Sequence, residues 1–293
     1  MQLKVVAALA AWSDVHANSL TGPAPPKFEL EDGSVHMASP SQEFLFNAFT
    51  AFREYVKQQT VDRGIPLTVV ANGDLLEKIR RTVDLISLNE ANILKLGREL
   101  FGPWRDMADP GRFVVVRGTE AHVGPSAHLE ETLGWELMAM EGAHGERSHY
   151  EVYLQVGPIV VRAAHHISSA LAHTDLSAPQ RELTQQAIEF PIAGYEQPDL
   201  QIRSHRHRFS FAQLAGNRAM LTLPAFQLKT PFVHKVASAA VPQIGGALVM
   251  VFENGKYYVD PFYVFPKQPK VYGRPDVSEE KPAKKRPRKR KRK

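Results

Sequence analysis

Asp14 and His16 follow an apolar run that begins at Leu3 and ends at Trp12. Side chains two residues apart on an extended backbone lie on the same side. A carboxylate and an imidazole placed this way can grip one metal ion. The same arrangement returns four times. Asp74 follows the apolar run Leu67–Ala71, and Glu120 and His122 follow Arg112–Arg117. His165 and His166 follow Ile159–Ala164, and His205 and His207 follow Leu200–Arg203. Six of the 12 histidines fall in these groups, so the pairs read better as parts of one site than as separate polar turns.

The elements that must position these residues are short strands. Runs of four to eight Val, Ile, Leu and Ala residues read as strands buried on both faces. In open α/β sheets, ligands gather where strands end at their C-terminal edge. If these strands lie side by side, all five groups share an edge. That edge carries imidazoles and carboxylates without thiolates, because the chain has no cysteine. Such a donor set suits two borderline or hard divalent ions, Mn, Fe or Zn, with Mn expected first. A pair of these ions about 3.5–4 Å apart forms a clamp for in-line attack on phosphorus.

The five groups resemble the signature blocks of calcineurin-like metallophosphoesterases. Asp14-Val-His16 matches Asp-x-His, and Gly73-Asp74-Leu-Leu-Glu77 matches Gly-Asp-x-x-Asp/Glu. Gly118-Thr-Glu-Ala-His122 stands where the family has Gly-Asn-His-Asp/Glu. Ala164-His165-His166 and Ser204-His205-Arg-His207 complete the order, over roughly residues 3 to 265. The resemblance implies an α/β fold, a metallophosphoesterase-like sandwich of two mixed β-sheets flanked by α-helices. It also implies that Asp14, His16 and His207 hold a first metal, that Asp74 bridges, and that His165 and His205 hold a second. The third block lacks the family's Asn ligand; Glu120 is the expected replacement, with Thr119 as the alternative. The block's histidine is displaced to His122, which takes the family's acid role. In the fourth block either His165 or His166 could be the ligand, and His165, the first residue past the strand, is preferred. Ser204 replaces a Gly, which is tolerable where φ is negative.

Glu77 is expected to orient a ligand rather than to bind metal. Arg117, Arg162 and Arg206 adjoin ligand positions and could meet a substrate phosphate or form structural salt bridges. Elsewhere the pattern is ordinary. Helices are expected from Ser39 to about residue 63, from Ser87 to Met107 with a break or kink at Pro103, from Ser126 to Met140 with Glu130 and Glu131 on its polar side, and over Gln180–Glu189. Residues 17–40 read as a long loop over the site. Asn254-Gly255 between two apolar runs signals a hairpin.

The 293 residues suffice for one large α/β domain over residues 1–270, followed by a polar tail over 271–293 expected to be disordered. No apolar run approaches the roughly 18 residues of a transmembrane helix. A signal peptide is not expected, since cleavage near Ala10 would destroy the first strand. The net charge of +5 belongs to the tail: residues 281–293 hold ten Lys or Arg and no acid, leaving 26 basic against 31 acidic residues elsewhere. Such a run binds polyanions without reading sequence. The expected activity is metal-dependent hydrolysis of a phosphoester by a phosphodiesterase, nuclease or phosphatase, with nucleic acid as a partner through the tail. The alternative is a nucleic-acid-binding protein whose altered third block has cost it catalysis. A cytoplasmic location is expected, or a nuclear one in a eukaryotic host.

Overall fold

The computed structural model describes residues 3–78, 85–167, 177–214, 216–236 and 241–267. The apolar run at the start forms β1 (Val5–Trp12), the middle strand of a five-stranded mixed sheet. β4 (Leu67–Asn72) pairs parallel to β1, and β5 (Phe113–Val116) pairs parallel to β4. On the other side β11 (Ile244–Phe252) and β12 (Tyr257–Val264) complete the sheet, both antiparallel, through the Asn254-Gly255 turn. The second five-stranded sheet runs β6 (Glu151–Val156), β7 (Ile159–Ala164), β8 (Leu200–Arg203), β10 (Ala219–Thr222), β9 (Ser210–Gln213). In it β7, β8 and β10 are parallel.

Residue alternation explains the layering. Ala7, Leu9 and Ala11 of β1 pack with Val70, Val114 and Val116 against Val152, Leu154, Val161, Ala163, Ile202 and Leu221 of the second sheet. Ala8, Ala10 and Trp12 face the opposite way, onto α1 (Pro40–Gln59) and α2 (Glu90–Met107). A strand with period-two side chains buried in both directions must be apolar throughout, as β1 is. The architecture is therefore an α/β sandwich of two mixed sheets flanked by helices, as the five blocks imply.

α1 begins at a capping box in which Ser39 accepts from the Gln42 amide and Gln42 returns the bond. Its apolar stripe, Leu45, Ala48, Phe49, Phe52 and Val56, covers the first sheet. Pro103 does not break α2: Leu96, Leu100, Phe101 and Trp104 bury the helix on both sides of it, and packing carries the helix through to Met107. The loop over residues 17–40 contains a small hairpin, β2 (Lys27–Glu29) with β3 (Val35–Met37). The helix expected over Ser126–Met140 is shorter, α4 (His128–Glu136), entered through a short helix α3 (Glu120–Val123) and a 3-10 turn at Pro125–Ala127. α5 (Ser177–Ala193) extends the helix expected around Gln180–Glu189. β9 and the short α6 (Pro231–Val236) were not legible as elements, since neither has a periodic run longer than one turn or four residues. The basic tail lies outside the described residues.

Candidate metal centre

Five loops leave the C-terminal ends of β1, β4, β5, β7 and β8 and converge. Three come from the first sheet and two from the second, so the two sheets face the site jointly. Backbone hydrogen bonds zip the loops together. Asp14 N donates to Gly73 O at 2.9 Å, His16 N to Asp74 O at 3.0 Å and Ser204 N to His165 O at 2.8 Å. His205 N donates to Asp14 Oδ2 at 3.2 Å, and Asn72 Nδ2 reaches Ser204 Oγ at 2.5 Å.

Asp14 and His16 are not extended. Their φ values are 50° and 47°, and Asp74, His205 and His207 have φ of 52°, 70° and 54°. Left-handed backbone at a non-glycine residue costs of order 1 kcal/mol and collects at functional sites, where the surroundings over-determine it. The tight turn follows from strands ending against each other: each ligand-type residue turns inward where an extended chain would carry it past the edge. Ser204 has no positive φ, so replacement of glycine there is free of that strain.

Four overlapping sets of donors result among the described residues. Asp14, His16 and His207 each place a ligand atom within 4.8 Å of the others, with His207 Nε2 3.1 Å from Asp14 Oδ1. Beside them, Asp14, Asp74 and His165 form a fully buried set, with His165 Nε2 3.0 Å from Asp74 Oδ2. His165, His166 and His205 make a third set that continues outward from His165. Asp14, His16, Asp74 and His165 are buried, whereas His122, His166, His205 and His207 are partly open to solvent. The site is thus a dry floor with a wet rim.

The donors fit divalent cations. His16 is 1% exposed, its Nδ1 is held by Glu77 at 2.9 Å, and its Nε2 has no hydrogen-bond partner. An imidazole nitrogen buried this way costs roughly 1–3 kcal/mol unless something engages it. The His16 Nε2, grouped with Asp14 and His207, is an atom that a cation could engage.

Charge is concentrated on this floor. Burial pushes the Asp14 carboxyl up, but His207 and His165 outweigh it and hold the pKa down to about 2. Burial likewise opposes ionisation of Asp74, and His165 reverses it, holding the carboxyl well below the usual range. His165 is pushed up to about 10: burial lowers it, and Asp74 and Asp14 more than compensate. His166 is pushed down by burial and by the neighbouring His165 and His205.

His122 lies on the rim. Its Nδ1 is 2.9 Å from Glu77 Oε2, the oxygen that also meets His16, and the His16 and His122 ring centroids are 4.6 Å apart. Burial lowers the His122 pKa, but the Glu77 carboxylate raises it further than burial depresses it. Glu77 therefore contacts both imidazoles, and His16, Glu77 and His122 themselves make the fourth donor set.

Three expectations need correction. The Glu120 side chain turns away from the donors and accepts from Ser126 N at 3.0 Å, capping the following turn. It is exposed at the start of α3, where an acid favours the helix N-terminus. Thr119 enters the site in its stead: its amide donates to Asp74 Oδ1 at 2.5 Å and its hydroxyl to Asp74 Oδ2 at 3.2 Å. Arg117 is bound to Ser148 and Glu131 and stacks on Tyr150. Arg162 is bound to Glu151 and Gln201 on the outer face of the second sheet. Both arginines are occupied by partners distant in sequence, so neither is poised for substrate. Arg206 lies between His205 and His207, partly buried.

One residue of the site was misjudged altogether. Glu130, expected on a polar helix face, is fully buried, and its two oxygens accept from Leu75 N at 3.0 Å and Gly118 N at 2.6 Å. Burial and then the nearby Asp74 charge raise its pKa to about 7. Those two amides flank the loops that carry Asp74 and Thr119, so Glu130 ties the second and third loops together. Its position in the sequence, next to another Glu, gives no sign of this.

No family model matches the sequence, and no curated protein matches it. Solved structures that align over most of the chain include vacuolar protein sorting 29 from Cryptosporidium parvum, at 10% identity and a TM-score of 0.46, covering 90% of this chain and all of that one. A metallophosphoesterase from Sphaerobacter thermophilus aligns at 12% identity and TM-score 0.38 over 88% of both chains. A predicted phosphoesterase from Streptococcus pneumoniae aligns at 12% identity and TM-score 0.34 over 88% of this chain and 98% of that one. Similarity this low assigns neither activity nor partner. What the structure itself gives is two mixed sheets with donor-bearing loops converging at the C-terminal ends of their strands.

Proposed function

We propose that this protein is a metal-dependent phosphoester hydrolase with a two-cation site. The observation that carries the reading is the pair of adjoining donor sets, Asp14 with His16 and His207 and Asp14 with Asp74 and His165, which share Asp14 and are built from four loops with left-handed backbone at Asp14, His16, Asp74 and His207. Asp14, His16 and His207 would hold one cation, His165 and His205 the other, and Asp74 would lie between. The all-N/O donor set suits Mn, Fe or Zn. Bound divalent ions at such a site supply Lewis acidity toward phosphoryl oxygens and lower the pKa of water.

The remaining steps belong to the chain. The buried floor excludes water from behind the phosphorus while the rim histidines admit substrate. Glu77 accepts from His122 Nδ1, fixes that ring and leaves Nε2 to protonate the departing oxygen. The Glu77 carboxylate raises the His122 pKa against the effect of burial, the direction that suits a general acid. Water adds to phosphorus, the P–O bond to the leaving group breaks, the leaving oxygen takes the His122 proton, and the proton released by the water passes to solvent, from which His122 is reprotonated.

The composition of the tail supports a polyanionic substrate. Ten cations in thirteen residues attract a polyanion, which favours a phosphodiester in nucleic acid over a small phosphomonoester. The test is metal content with turnover. Purified protein loaded with Mn should hold two ions per chain and cleave bis-p-nitrophenyl phosphate. Asp74→Asn should remove turnover and lower metal content, because a neutral amide cannot serve two cations as a carboxylate does. Full activity in that variant sinks the reading. The departure in the third block favours a second reading, a nucleic-acid binder without catalysis; tight binding of DNA or RNA with no hydrolysis of any phosphoester would establish it.

A further inference from the structure

We infer that His166 supplies the ligand to the second cation that the third block lacks. The inference rests on the two-cation reading and concerns which residues complete it. The missing asparagine leaves the second donor set with His165, His205 and the shared Asp74. Glu120 does not fill the gap, since its carboxylate caps Ser126. Thr119 stands at the position, but its hydroxyl is engaged with Asp74 and is a weak neutral donor to a cation.

His166 is where the gap is. The ring centroids of His165, His166 and His205 are 5.0, 5.3 and 5.0 Å apart, nearly an equilateral triangle. Each ring offers a nitrogen, and these nitrogens lie within 4.8 Å of one another. Thr119 Oγ1 sits 3.3 Å from both His166 Nε2 and His205 Nδ1, so both rings turn a nitrogen toward the position of the third block. His165 has only one nitrogen to give: its Nδ1 is committed to Asn72 O at 2.7 Å, which leaves Nε2 pointing at Asp74. Three imidazoles and a carboxylate make a complete four-ligand set of the kind borderline divalent ions accept. The imidazole of His166 reaches from the fourth loop to the Thr119 hydroxyl of the third. The loss of one ligand is thereby matched by a second histidine in the adjacent block.

Manganese titration by calorimetry, with metal content by mass spectrometry and spin coupling between paired Mn ions by electron paramagnetic resonance, tests the assignment. Wild type should bind two ions that couple. His166→Ala should retain the first ion and weaken the second by at least the roughly 10- to 100-fold that loss of an outer-shell partner typically costs. The coupled signal should disappear. His166 is exposed, so the variant should unfold in urea like wild type. Thr119→Ala should keep both ions, and Thr119→Asn combined with His166→Ala should recover the second, because the asparagine is back in the third block. Two coupled ions of unchanged affinity in His166→Ala overturn the assignment and leave the two-cation reading intact. A wild type that binds no cation overturns both.

Discussion

Gly118→Ala is a one-carbon test of how tightly Asp74 must be held. A Cβ at Gly118 would lie 2.9 Å from Asp74 Cα and nearer still to Asp74 N and Oδ1. Carbon atoms pack at about 3.5–4.0 Å, so Asp74 would have to retreat by about half an ångström or more. It has little room. Thr119 N, Leu75 N and Gly118 N are tied to Asp74 Oδ1 and to the two Glu130 oxygens, and Asp74 is already in left-handed backbone. Overpacking of this kind costs about 1–3 kcal/mol of stability. The functional loss should be larger in proportion, since misplacing a reacting group by about 1 Å can cost about 100-fold; a loss of about 10- to 100-fold in kcat/KM is expected. Urea unfolding, manganese affinity and hydrolysis of bis-p-nitrophenyl phosphate measure the three effects. Gly102→Ala is the control: apart from its chain neighbours and its own helix, nothing lies within 4 Å of its Cβ position in α2, and crowding by the following Pro103 offsets the usual helix gain, so stability should change little and activity should be full. Wild-type metal affinity and turnover in Gly118→Ala would refute the claim that Asp74 is held by its packing against Gly118.

The remaining expectations concern protons and charge. His122→Ala should leave both cations bound and slow esters with basic leaving groups more than activated ones; an equal loss across a leaving-group series would remove the acid role. His165, raised from 6.5 to about 10 in the metal-free protein, carries a proton at pH 7 that a cation must displace. Calorimetry in buffers of different ionisation enthalpy should therefore register about one proton released at this site, and affinity should climb from pH 7 toward 10; no release contradicts the charged His165–Asp74 pair. By the same shift, the stability that His165 contributes to the metal-free protein is fully present below pH 6.5 and is lost as pH rises through about 10, which urea midpoints across that window would register. Truncation of residues 276–293 should leave small-diester hydrolysis unchanged while raising the Michaelis constant for nucleic acid and flattening its salt dependence; an unaltered salt slope excludes the tail from substrate capture.

The apolar runs made the strands legible because burial on both faces demands unbroken Val, Leu, Ile and Ala, as in β1 and β4. The donor groups were legible for a related reason: residue types able to hold a cation stand just past strand ends, and that placement is written locally, one block at a time. The capping box at Ser39 and the Asn254-Gly255 turn are local too, and both formed as their chemistry requires. Pro103 was misleading because its local preference was outweighed by the packing of Leu100 and Trp104.

The sequence by itself determined the types of donor, their order and the charge of the tail. Only the tertiary structure decided which donors meet. Asp14 and His207 are nearly two hundred residues apart, and their contact depends on two sheets closing face to face. The left-handed turns at Asp14, His16 and Asp74 arise where neighbouring loops bond to each other, so no local propensity announces them. Glu120 and Glu130 show the same division most sharply. Both are acids near a helix start, and the sequence could not separate them. One reaches the local amide of Ser126 and stays in water. The other reaches the amides of Leu75 and Gly118, brought to it by long-range packing, and those bonds stabilise its burial.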